Sequence, residues 1–220
     1  MADGHLHELA ELAATQWGLI TTAQATQLYG VDHLKLLAYN AAGDILRIRH
    51  GVYRLPGATT PAPGPVLDEI HAEWLALEPR RTVAERLYDT APFGMVSHQS
   101  AAWMQDLGDF TAAPGDHHHL TLRYRRRGRT ATFHVGDVTR SAWHWVDNLP
   151  VTRPLRTIAD LACAGALADD LAGAACTVLR NGDADPRSLA AALAPHEHRR
   201  CRRVGDAVRA FEVLSRSTIS

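Results

Sequence analysis

The spacing of apolar residues changes character within the first 57 positions. Leu6, Leu9, Ala10, Leu12 and Ala13 recur at helical intervals, which predicts a first helix running to about Gln16, with Gly18 ending it. Thr21 or Thr22 then offers an N-cap for a short second helix through Leu28. Gly30-Val31 makes a tight turn, Asp32 caps a third helix running to Ala42, and Gly43 suits its left-handed C-terminal position. From Asp44 the period shortens to two, with Leu46 and Ile48 on one face and Arg47 and Arg49 on the other. His50-Gly51 stands where a hairpin would turn. Three helices followed by a two-stranded hairpin is the order of a winged helix-turn-helix.

Residues 58–66 contain three prolines and a glycine (Pro61, Pro63, Pro65, Gly64), a composition that favours an extended, semi-rigid linker. It divides a winged-helix unit, residues 1–57, from a body, residues 67–220. The body opens with a predicted helix from Val66 to Leu77, a second around Val83 to Tyr88 and a short one after Ser97 to Ser100. Strand-like runs follow at His119–Tyr124, Thr130–Val135 and Trp143–Val146, with Val151–Thr152 as a short fourth. From Leu155 the pattern is helical, broken near Asn181-Gly182 and Pro195. The fold class is therefore α+β: a winged helix-turn-helix, then a mixed α/β body with a small sheet and C-terminal helices.

Composition narrows the chemistry. The net charge is -1, so any nucleic-acid contact must come from local patches. Of the 23 basic residues only Lys35 is a lysine, and no G-x-x-x-x-G-K-[ST] or V-A-I-K-like stretch contains it. P-loop, protein-kinase and other lysine-dependent chemistries are thus disfavoured. A G-x-S-x-G elbow is missing as well, and the reading carries no catalytic residue and no cofactor. Cys163, Cys176 and Cys201 lack C-x-x-C spacing, and the first two, in an Ala/Leu-rich stretch, are expected to be buried reduced thiols. The N-terminus has no basic region followed by an apolar one, and Asp160, Asp169 and Asp170 interrupt the most apolar window. A soluble, cytoplasmic protein without a membrane partner is the expectation.

The basic residues of the first unit gather at one end. Between His33 and Leu55, Lys35, Arg47, Arg49 and Arg54 face one acid, Asp44; before them stand Asp3, Glu8, Glu11 and Asp32 with no cation. If Leu34, Leu37, Ala38 and Ala41 form the buried face of the third helix, His33, Lys35, Tyr39 and Asn40 lie on or near its outer face. Asn40 could then read an adenine edge and Lys35 a guanine or a phosphate, while Arg47, Arg49 and Arg54 of the wing hold backbone phosphates.

The stretch from Trp17 to Gly57 resembles the N-terminal domain of AbiEi-family antitoxins of type IV toxin–antitoxin systems, most tellingly in G-V-Y-R-L-P (Gly51–Pro56). The S-H-x-S-A pattern (Ser97, His98, Ser100, Ala101) and the L-P-V-T-x-P-x-R-T-x-x-D-L-A pattern (Leu149–Ala162) are similar to that family and its relatives too. The resemblance implies an antitoxin and autorepressor. Its winged helix would bind inverted repeats in its own promoter, and its body would counter a cognate nucleotidyltransferase-like toxin. The resemblance also implies an arginine-rich recognition helix, whereas this one carries Lys35 alone. The runner-up is consequently a protein-interaction antitoxin whose winged helix no longer binds DNA.

Two further clusters invite function. Arg123, Arg125, Arg126, Arg127 and Arg129, with Gly128 among them, fit a hairpin tip; Arg199, Arg200, Arg202 and Arg203 open the last helical stretch. Arginine forks match phosphates and carboxylates alike, so either cluster could extend a DNA footprint or dock a toxin. His117, His118 and His119 are adjacent, and adjacent strand residues face opposite ways, so they cannot share one ion. His196, His198 and Cys201 lack a complete ligand set. The expectation is no metal site. Thr157 and Asp160 read as the start of a packing helix.

Overall fold

The computed structural model describes residues 4–58 and 64–196. Arg199, Arg200, Arg202 and Arg203, with His198 and Cys201, lie outside the described residues, as do residues 59–63 of the proline-rich stretch.

The N-terminal unit contains α1 (Gly4–Ala14), β1 (Leu19–Thr21), α2 (Thr22–Tyr29), α3 (His33–Ala42), β2 (Leu46–Arg49) and β3 (Val52–Arg54). Local chemistry sets these limits. Thr21 caps α2 through a reciprocal box with Gln24, and Asp32 accepts from the Lys35 backbone N–H at the start of α3. Gly30 and Gly43 close the two helices at φ +67 and +83, a conformation glycine adopts without a Cβ clash. The β2–β3 hairpin turns at His50-Gly51, as its sequence predicts. A strand not legible in the sequence, β1, pairs antiparallel with β3 and makes a three-stranded sheet of order β1-β3-β2.

The body contains α4 (Pro65–Leu75), α5 (Val83–Arg86), β4 (Gly94–Val96), α6 (His98–Met104), β5 (His118–Leu122), β6 (Ala131–Val135), β7 (Trp143–Val146), β8 (Leu149–Thr152), α7 (Pro154–Ala164), α8 (Ala168–Asn181) and α9 (Pro186–Leu193). Its sheet has the order β6-β5-β4-β8-β7. The central strand, β4, was invisible to alternation because it is three residues long and begins with glycine. That glycine is a packing requirement: a Cβ on Gly94 would stand 2.2 Å from Leu122 Cδ2 and 2.7 Å from Leu77 Cδ1.

The expected hairpin between β5 and β6 is overturned. The two strands pair in parallel, from His118 opposite Ala131 to Leu122 opposite Val135. The arginine segment is therefore a crossover that runs back the length of the pair, not a tip. Eight extended residues can span about 26 Å, enough to return along a five-residue strand without a helix. By contrast, β7 and β8 do form a hairpin, with Asp147 and Asn148 both at positive φ in the turn. The packing reading of Thr157 is consistent with its contacts: buried, it meets Thr152 Oγ1 at 2.7 Å and ties α7 to β8.

Core packing joins the two units. Trp17, Leu19 and Val52 of the winged helix share one buried cluster with Ile70, Trp74, Val96, Leu120 and Val151 of the body. A second cluster lies inside the N-terminal unit around Leu9, Ile20, Leu36 and Tyr53, and a third under α7, α8 and α9. Cys163 departs from expectation and lies exposed on α7; Cys176 is half-buried, and both are free thiols. Among the described residues no helix is long and apolar enough to cross a membrane.

Candidate nucleic-acid interface

The wing has an inner and an outer side, and a bulge decides which arginine goes where. Arg47 stands opposite Tyr53 and Arg49 opposite Val52, so Ile48 is an extra residue and the alternation is broken. Arg47 and Arg49, expected on one face, diverge. Arg47 is exposed, and its guanidinium donates to His50 Nδ1 at 3.0 Å. Arg49 turns inward to an ion pair with Glu73, a carboxylate only 2% exposed that also accepts from the Thr130 hydroxyl. Arg54 likewise reaches inward, donating to Asp68 and to the Trp17 carbonyl at 2.9 Å.

These pairs belong to a seam between the two units. Burial pushes the Arg49 guanidinium below its ordinary range against the opposing pull of Glu73, and raises the Asp68 carboxyl against the pull of Arg54. Between the pairs, the fully buried His71 ring stacks on Trp17 with centroids 4.0 Å apart. Trp17 Nε1 donates to the Asp147 carbonyl at 3.0 Å, and Asp147 Oδ2 lies 3.5 Å from His71 Nε2. Further contacts come from the start of α2, where Thr21 donates to the Pro79 carbonyl and Gln24 to the Arg81 carbonyl, the latter at 2.9 Å. Arg49 and Arg54 thus hold the winged helix on α4. Sequence alone placed them on phosphates because their partners, Glu73 and Asp68, lie beyond the linker.

The expected buried face of α3 is overturned at Leu34, Ala38, Ala41 and Tyr39. Leu36 and Tyr39 are its buried residues, packed with Val31 and Ile45. Leu34 is 70% exposed, and Ala38 and Ala41 are exposed with it. The sequence HLKLLAYNAA is apolar on more than one side, so its periodicity is degenerate and the packing partner breaks the tie. Tyr39 is therefore a core residue. Asn40 Oδ1 accepts from the Arg47 backbone N–H at 2.9 Å and pins the start of the wing to the helix. His33 is exposed, and Lys35 is half-buried with its ammonium 5.5 Å from the Tyr39 ring centroid.

Beside the wing turn lies an open cleft of about 810 Å³, lined by Thr22, Thr26 and Gln27 of α2, His50 of the turn, and Arg80 and Arg126 of the body. Arg126 donates to the Ala76 carbonyl at 3.2 Å, which anchors the crossover at the cleft edge. Arg123, Arg125, Arg127 and Arg129 are exposed along the same segment. Sequence reading missed Arg80 and His50 as members of this surface. Only the contacts of Thr21 and Gln24 with residues 79 and 81 bring Arg80 beside α2, so no local signal could have found it.

Fold and surface together define a winged helix-turn-helix packed against an α+β body, with cations on the outer wing, cleft and crossover. Residues 7–56 match the family described as "Transcriptional regulator, AbiEi antitoxin", so the N-terminal unit is similar to the members of that family over this segment. The match bears out the resemblance read from the wing motif. Among solved structures, "Crystal structure of RV2827C protein from Mycobacterium tuberculosis" is similar over 96% of this chain and 78% of that chain, with a TM-score of 0.57 and 13% identity. That likeness extends the shared fold to the body. No curated protein matches the chain.

Proposed function

We propose that this protein is the antitoxin and transcriptional autorepressor of a type IV toxin–antitoxin operon. The winged helix would bind inverted repeats in the operon's promoter, and the body would counter a cognate nucleotidyltransferase-like toxin in the cytoplasm. The observation that carries the reading is the match of residues 7–56, a segment folded as a complete, capped winged helix-turn-helix. In the proposed complex His33, Lys35 and Arg47 meet DNA first. Arg80 and Arg126 at the cleft, with Arg123, Arg125, Arg127 and Arg129, extend the phosphate contacts. Asn40 and Tyr39 position the wing and helix, and Arg49 and Arg54 hold the unit on the body. No enzymatic step enters this reading.

Fluorescence anisotropy on the DNA upstream of the gene, against scrambled DNA at two salt concentrations, tests the DNA half. Tight, sequence-dependent binding that weakens with salt is the expected result. Equal, feeble binding to both DNAs overturns it.

One observation favours the second reading, a protein-interaction antitoxin whose winged helix no longer binds DNA. The outer face of α3 presents Leu34, Ala38 and Ala41 rather than a row of cations, and Leu34 is 70% exposed. Co-purification with the toxin alongside absent promoter binding would select that reading.

A further inference from the structure

Three elements of the body bring histidines together at the edge of the sheet. His98 opens α6, His119 lies in β5 and His134 in β6. Each offers one ring nitrogen to a group in which all three atoms lie within 4.8 Å of one another. The His98 and His134 rings stack with centroids 3.5 Å apart, and His119 Nδ1 is 2.9 Å from His134 Nε2. Two imidazole nitrogens bound to one tetrahedral ion, each at about 2.0–2.1 Å, sit about 3.3 Å apart. The observed pair needs to open by only a few tenths of an ångström.

The surroundings suit a cation held by neutral imidazoles. Burial, reinforced by the neighbouring rings, lowers His98 to about 3 and His119 to about 4, and burial lowers His134 too. Each neutral ring carries one N–H and one lone-pair nitrogen, and the His119–His134 contact is a hydrogen bond whose shared proton leaves when an ion takes both nitrogens. The His98 Nδ1 lies 2.9 Å from Ser97 Oγ, and Thr121 donates to that same oxygen at 2.9 Å. With Nδ1–H donated to Ser97, the His98 Nε2 is left for an ion, and the hydroxyl fixes the ring as an outer partner. The His119 backbone N–H is held by Ser100 Oγ at 2.9 Å. Arg156, the cation that acts on His98, is paired with Asp160 at 2.7 Å. His98 also keeps φ +53, a left-handed backbone that a non-glycine residue adopts at a cost. His118, one residue from His119, points the other way to Glu69 at 3.0 Å and takes no part.

We propose that His98, His119 and His134 form a three-histidine site for a late first-row divalent ion, Zn²⁺ in the first instance, with a fourth position open to water or an added ligand. Imidazole donors select Zn²⁺ and its neighbours over Mg²⁺ or Ca²⁺. The ion cross-links α6, β5 and β6, and so fastens the edge strand β6 into which the arginine crossover leads. This site is separate from the DNA surface, and its test reads metal alone.

The test uses the full chain stripped with a chelator and titrated with Co²⁺. A visible ligand-field band saturating at one equivalent is expected, displaced by Zn²⁺ and unaffected by Mg²⁺. A His119→Gln, His134→Gln variant should lose the band, while a His33→Gln, His50→Gln control keeps it. Ser97→Ala should weaken binding about 10–100-fold. Absence of the band in wild type, or its persistence in the His119/His134 variant, overturns the site. Should that variant fail to fold, histidine NMR of the wild type decides instead. Zn²⁺ is expected to shift the His98, His119 and His134 rings first, and shifts confined to other histidines overturn the proposal.

Discussion

Arginines 47, 49 and 54 look alike in the wing sequence, but their partners set them apart. Arg54 faces Asp68, a buried carboxylate, and Arg49 faces Glu73, another. Removing one member of such a pair leaves an unpaired buried charge, which costs about 3–5 kcal/mol. Arg54→Ala is therefore expected to lower the urea midpoint steeply, and Arg54→Met combined with Asp68→Leu to recover most of the loss. Arg47 lies exposed, bonded to His50 within the wing itself, so Arg47→Ala should change stability by less than about 0.5 kcal/mol. The same substitution should weaken DNA binding evenly across sequences and reduce the salt slope by about 1. An Arg47→Ala protein that binds promoter DNA like wild type would remove the wing from the footprint.

His71 adds a pH dependence at the same seam. Burial pushes its pKa below the ordinary value of 6.5, although Asp147 and Asp68 pull it up; Arg54 adds to the lowering. A base whose folded pKa is depressed contributes stability in full above about pH 6.5, and the contribution fades as pH falls toward the folded value. His71→Phe keeps a ring against Trp17 but cannot titrate. The stability difference between wild type and His71→Phe, measured by urea denaturation, should move in favour of the variant between pH 7.5 and 5.5. A constant difference would mean that His71 protonates as easily in the folded protein as in the unfolded chain.

At the scale of elements, caps and turns are local, and they were legible. Thr21, Asp32, Gly30 and Gly43 place the ends of α2 and α3 because each acts on backbone within a few residues. The faces of α3 and the partners of β5 were not legible, because both depend on what packs opposite. The Asn40 bond to the wing is a case where the two scales meet. Asn40→Ala should cost about 1 kcal/mol of stability through that lost bond. Asn40→Asp keeps the acceptor and should stay near wild type in stability, yet bind DNA less well through its added charge. A loss of DNA binding in Asn40→Ala without a matching loss of stability would instead assign Asn40 a direct DNA contact.

The whole molecule behaves as more than two units on a linker. Trp17, Leu19 and Val52 are buried against the body, so a piece ending at residue 57 would expose them. Urea unfolding of the full chain is expected to follow one transition, coincident by tryptophan fluorescence and far-ultraviolet circular dichroism. Residues 1–57 alone should be markedly less stable than the same segment in the full chain. Two separated transitions, with the first removing only the winged helix, would contradict the shared core. The consequence for function is geometric: the cleft arginines of the body keep a fixed position relative to the wing, so a DNA footprint can include both.

The sequence by itself determined the ends of α2 and α3, the wing turn, the α+β order and the family resemblance that the match of residues 7–56 bears out. Each of these rests on capping, turn or periodic signals carried within a few neighbouring positions. Tertiary structure alone decided that Arg49 and Arg54 face carboxylates on α4, that Leu34 faces solvent, and that the arginine segment crosses between parallel strands. It alone gathered His98, His119 and His134. The physical reason is the same in each case: a side chain's charge partner, its burial and its ligand neighbours are set by residues distant in the chain, and one-dimensional spacing does not encode which of them arrive.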